Sequence, residues 1–77
     1  MRGIPPGLED VMNIDPEILG GEPCFNSTRV PLDTVMDNLA TGRSVDQILY
    51  SYPSLERYHV EAVLRWERDL ARKAVGF

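Results

Sequence analysis

The sequence is poor in the residues that staple a fold or catalyse a reaction. It holds one cysteine, Cys24, and one histidine, His59. One cysteine excludes an internal disulfide, and one of each is too few for a Cys/His zinc cluster. The same scarcity argues against an enzyme, because no Cys–His pair or convergent acid–base pair can be assembled. No run approaches the roughly 20 apolar residues that span a bilayer. The opening Met1-Arg2-Gly3-Ile4-Pro5-Pro6-Gly7 has no apolar stretch and does not read as a secretory signal. Asn26-Ser27-Thr28 fits the glycosylation pattern, which carries no weight without such a signal. There are no repeats and no low-complexity tract. These absences lead us to expect a cytoplasmic protein with no metal and no cofactor.

What is present suits one small domain. The chain has 77 residues, of which 43% are hydrophobic. A domain this short buries only about 60% of its unfolded surface and is marginally stable alone. A homodimer interface would relieve that shortage, so self-association is expected. The net charge is −4 and unevenly spread. Residues 1–42 carry two arginines against seven carboxylates, whereas residues 54–77 carry five basic residues against four acids. The acidic front half repels nucleic acid and suits a basic protein partner. Phosphate binding would fall to the C-terminal half.

Along the chain, residues 1–11 read as a flexible arm, because Pro5-Pro6-Gly7 cannot lie inside a helix. Residues 12–77 read as a single domain. Met12-Asn13-Ile14-Asp15 alternates apolar and polar residues, a short strand signal. Asp15-Pro16 and Gly20-Gly21 mark turns. Cys24–Val30 is a second strand candidate, able to pair with the first as a ribbon. From Pro31 the period becomes helical. Leu32, Val35, Met36, Leu39 and Ala40 form an apolar stripe, predicting a helix over 32–41. Gly42 ends it. Ser44 caps the next helix, at 45–51, with Gln47 completing a capping box. Pro53 forbids continuation. A third helix follows over 56–73, with Val60, Val63, Leu64 and Ala71 inward and Ala62, Trp66 and Leu70 on a flank. Gly76 ends the chain's helical pattern. Helix, turn and longer helix make a helix-turn-helix.

Several motifs recur in a recognisable order: Ile14-Asp15-Pro16, Gly20-Gly21-x-Pro23-Cys24, Thr28-Arg29-Val30-Pro31, Leu39-Ala40-x-Gly42-x-Ser44 and Tyr52-Pro53-x-Leu55. Together they resemble the family called domain of unknown function 433, over residues 12–66. The resemblance implies a mainly α, homeodomain-like three-helix fold preceded by a short β segment. It further implies the antitoxin half of a type II toxin–antitoxin pair, with a partner toxin that is often a PIN-type ribonuclease. No catalytic residues carry over. The family usually has glycine where this chain has Ser27, which points to a left-handed turn that serine enters at a cost.

Site candidates follow from that reading. Arg43, Arg57, Tyr58, His59, Glu61 and Arg65 are candidates for DNA contact, since the N-terminal part of the third helix would enter the major groove. A solvated face of alternating charge explains the same residues without DNA. Arg65, Arg68, Arg72 and Lys73 also suit a helix C-terminus, where cations are favoured. His59 is expected on the surface. Arg2 and Arg29 are the candidates for partner contact, as plugs for the acidic cleft of a nuclease. For Arg29 an ion pair with a nearby acid is the plainer expectation, and phosphate binding at the edge of the fold is the alternative. Cys24 reads as a small buried thiol. Asp15, Glu17 and Glu22 read as solvated loop acids. The expected function is an antitoxin-like protein that neutralises a toxin and binds its own operator as a dimer. The alternative is a stand-alone helix-turn-helix regulator or DNA-tethering module.

Overall fold

The computed structural model describes residues 3–75. Two strands, β1 (Met12–Asn13) and β2 (Cys24–Phe25), precede three helices, α1 (Leu32–Ala40), α2 (Val45–Ser51) and α3 (Arg57–Ala74). A short 3-10 turn at Leu19–Gly21 lies between the strands.

The two strands pair antiparallel, Met12 opposite Phe25 and Asn13 opposite Cys24. The two short strands thus pair with each other within the chain. The ribbon is shorter than the alternation suggests. Ser27 turns the backbone left-handed, at φ +64°, directly after Phe25 and Asn26. Phe25 accepts the N–H of Thr28 at 3.0 Å and donates its own N–H to Val30 at 3.0 Å. The Thr28 hydroxyl donates to Phe25 O at 2.9 Å and receives the Val30 N–H at 3.0 Å. That hydroxyl is buried, and it satisfies backbone groups that the turn leaves unpaired.

The helix boundaries follow from local chemistry. At the end of α1, Gly42 adopts φ +86°. Its N–H reaches Leu39 O at 3.0 Å, and the Arg43 N–H reaches Asn38 O at 3.1 Å. This is a Schellman closure, which needs a residue free to turn left-handed. Ser44 then caps α2: its hydroxyl accepts the Gln47 N–H at 3.2 Å, and Gln47 Oε1 accepts the Ser44 N–H at 2.9 Å. Pro53 follows the last turn of α2, where Tyr52 leaves helical geometry at ψ 78°.

Phe25, Leu8, Ile48, His59, Val35, Val60 and Val63 are fully buried. Three expectations change here. Leu8 belongs to the core, with Ile4 and Val11 packed against that core, so residues 4–11 are docked there, and residues 1 and 2 of the expected arm lie outside the described residues. On α1 only Val35 is fully buried. Leu32, Met36 and Leu39 are half-buried at its edge, and Ala40 is exposed. On α3 the inward direction is set by His59, Val60 and Val63, which brings in Ala62 and turns Leu64 out. Ala71 is also exposed. At about 1.5 Å per residue, the 18 residues of α3 run the helix past the packed body, and Leu70 and Val75 are left in solvent.

Candidate nucleic-acid interface

The outer face of α3 carries Arg57, Glu61, Arg65, Arg68 and Arg72, all exposed. They recur at spacings of four, four, three and four residues, so they form one stripe along the helix. The inward direction of this helix is taken by its valines and His59, so the arginines cannot turn away from water. Arg57 is ion-paired with Asp46, at the start of α2. Among the described residues Arg65, Arg68 and Arg72 make no ion pair or hydrogen bond. Their charge is available to an external anion. Arg68 and Arg72 join this stripe although a helix C-terminus accounts for them equally well. The spacing from Arg57 was the signal that joins them to the stripe.

The other candidates divide. Glu61 and Arg65 share this face, and Tyr58 is 47% exposed beside it. Arg43 is elsewhere and already occupied. Its guanidinium donates to Asn38 Oδ1 at 2.9 Å, to Gln47 O at 3.0 Å and to Ser51 Oγ at 2.7 Å. It braces the α1–α2 corner.

His59 is the larger correction. It is 1% exposed, not on the surface. Its Nδ1 accepts the backbone N–H of Glu56 at 3.0 Å. The ring lies 4.1 Å from that of Tyr58 and 5.4 Å from that of Phe25, centroid to centroid. Burial pushes the imidazole below its ordinary value, and the Glu56 carboxylate pulls weakly the other way. A neutral ring whose Nδ1 accepts must carry its proton on Nε2. That atom is buried and has no hydrogen-bond partner among the described residues. His59 cannot reach a base edge; it holds the first turn of α3.

Arg29 is exposed on the turn after β2. It has no ion-pair partner among the described residues, so the expected pairing with a nearby acid is absent. It lines an open cleft of about 440 Å³ with Asn13, Ile18, Ser27, Thr28 and Ser54. Arg2 lies outside the described residues.

The acids of the front half are mostly in solvent: Glu9, Asp10, Glu17, Asp33 and Asp37 are exposed. Its own backbone N–H and that of Gly7 hold the Glu9 carboxyl below the usual range. Cys24 is buried, with Sγ 3.5 Å from Glu22 O, and burial pushes its thiol up. It is a packing residue, as its strand position suggests. Among the described residues no three His, Cys, Asp or Glu side chains gather as a metal site. No helix among them is long and apolar enough to cross a membrane.

Comparison with known proteins agrees with the ordered motifs. The chain is 39% identical over 62 residues to "Uncharacterized protein y4eO" of Sinorhizobium fredii (strain NBRC 101917 / NGR234), a match covering 73% of this chain and 28% of that protein. The chain therefore spans less than a third of that relative's length. No solved structure shows significant similarity. The model of the family described as "Protein of unknown function (DUF433)" matches residues 12–66, from the first strand to Trp66 in α3, and the chain belongs to that family.

Proposed function

We propose that this protein is an antitoxin-like interaction module with a homeodomain-like helix-turn-helix, which binds a partner toxin through its acidic front half and its own operator DNA through α3. The observation that carries the DNA half of this reading is the stripe of Arg57, Arg65, Arg68 and Arg72 on one exposed face. Four cations along one exposed helix face supply the positive charge that phosphate contact needs, and three of them have no ion pair or hydrogen bond among the described residues. In this reading the N-terminal half of α3, with the exposed Tyr58 and Glu61, is the part that meets base edges.

The net charge of −4 opposes approach to DNA. A homodimer doubles the arginine stripe, and a basic toxin seated on the acidic half cancels the repulsion. Binding strengthened by the toxin follows from that arrangement.

The test is a titration of the DNA upstream of the protein's own gene, at several salt concentrations. Wild-type protein is compared with Arg65→Ala/Arg68→Ala, with and without the product of the adjacent open reading frame. The double variant is expected to bind more weakly and to flatten the dependence of log K on log salt by about 0.9 per lost contact. DNA binding with no stable complex between the two gene products would favour the stand-alone regulator. Absence of any DNA complex at low salt would remove the operator role.

A further inference from the structure

The cleft at Arg29 differs in kind from two others on the molecule. The cleft beside the front segment and α3 is lined by Asp69 as well as by Arg65 and Lys73. A third, near Leu32 and Trp66, includes Asp33. The Arg29 cleft has a cation and no carboxylate in its lining, in a chain of net charge −4.

Three separate segments supply its polar groups, and Ile18 lines it from the start of the 3-10 turn. Asn13 ends β1, Ser27 to Arg29 form the turn after β2, and Ser54 lies in the α2–α3 connection, three residues before α3 begins. Thr28 and Val30, on either side of Arg29, are both buried, so the backbone that carries the guanidinium is held. The side chains of Asn13, Ser27, Arg29 and Ser54 have no hydrogen-bond partner among the described residues. Ser27 also sits at φ +64°, where a non-glycine residue costs energy. It is among the residues that line the cleft.

We infer that this cleft receives a phosphate group, with Arg29 as its cation and Asn13, Ser27 and Ser54 as its neutral donors. A planar carboxylate is satisfied by the fork of one arginine. Donors arriving from three segments suit an anion whose oxygens point in several directions. Neutral hydroxyl and amide donors around one arginine are the chemistry of a backbone-positioning contact to nucleic acid. The inference rests on the DNA reading above when the phosphate belongs to a duplex, and stands without it when the phosphate is free. It also moves Arg29 from toxin contact to phosphate contact.

Two measurements test it. In the first, Arg29→Ala is titrated with promoter DNA and with a scrambled duplex. Affinity for both should fall by the same factor, several-fold at low salt, and the salt slope should drop by about 0.9. Ser27→Gly should weaken binding without lowering the melting temperature. In the second, amide resonances of Ser27, Arg29 and Ser54 are followed by NMR as inorganic phosphate is added, with acetate at matched ionic strength as the control. Saturable shifts with phosphate, lost in Arg29→Ala and absent with acetate, support the inference. An effect in both measurements identifies the duplex backbone as the source. An effect in the second alone identifies a free phosphate. If Arg65→Ala/Arg68→Ala weakens DNA binding while Arg29→Ala changes neither measurement, the inference fails and the DNA reading survives. Equal shifts with acetate overturn the inference, because the cleft would then be a carboxylate receptor.

Discussion

Glu56 donates its backbone N–H to the buried imidazole of His59 across 3.0 Å, so the first turn of α3 is closed by a titratable ring. Protonation of Nδ1 would abolish this acceptor and place a charge beside Phe25 and Tyr58. Folding favours the neutral ring, and the unfolded chain binds the proton more readily. Stability is therefore full above the ordinary value of 6.5 and is lost as pH falls from there through the lower folded value. Melting temperature measured from pH 8 to pH 5 should show that decline. His59→Phe, which cannot protonate, should melt with a flatter profile over the same window. An identical profile in the variant would assign the decline to other groups.

Leu8 is fully buried against the helices. Leu8→Ala should cost about 2–5 kcal/mol, the range for truncating a buried leucine. Chemical denaturation of wild type and variant measures it. A change below about 0.5 kcal/mol would mean that the front segment contributes nothing to the core.

The apolar edge of α1 predicts a graded response. Val35→Asp, at a fully buried position, should prevent folding, because it leaves an unpaired charge in the core. Leu39→Asp, at a half-buried position, should destabilise by a smaller amount while leaving a measurable transition. Thermal melts by circular dichroism distinguish them, and equal midpoints would show that the two positions share one degree of burial.

Arg43 and Arg57 provide a contrast between two arginines. Arg43 makes three hydrogen bonds, two to side chains and one to a carbonyl. Arg43→Ala should cost about 1–3 kcal/mol, since charge-assisted bonds are lost together. Arg57 has one partner, Asp46, and both side chains are well exposed. Arg57→Ala should change stability by less than about 1 kcal/mol. Denaturant midpoints that rank the two the other way would refute the bracing role of Arg43.

Ser27 occupies left-handed space at φ +64°. Ser27→Gly should leave the melting temperature equal or higher, and Ser27→Val should lower it by the equivalent of about 1–2 kcal/mol. The opposite order would mean that the turn is not left-handed in solution.

The helices were legible because their signals are local. Gly42, the Ser44–Gln47 box and Pro53 each act within one turn of chain, and each does in the structure what its chemistry dictates. The motif order was legible for the same reason, and it matched the family. What sequence could not reveal depends on tertiary placement. Leu8 reads as part of an arm until the helices that cover it are in place. His59 reads as a surface residue until Val60 and Val63 fix the rotation of α3. Arg43 is indistinguishable from a phosphate contact until Asn38 and Ser51 are seen around it. The Arg29 cleft joins three segments far apart in the chain, and no spacing rule connects Asn13, Arg29 and Ser54.

The two ends of α3 differ in what holds them. His59, Val60 and Val63 tie its first half to the core, so those amides should exchange with solvent deuterium only when the whole domain opens. Beyond Trp66 the helix has little to lean on, and Leu70, Ala71 and Val75 face water. Amides there should exchange by fraying from the end, orders of magnitude faster. One continuous helix thus carries a rigid root and a pliable tip. Arg57 and Arg65 stand on the root. Arg72 stands on the tip, and its amide should exchange with that faster group.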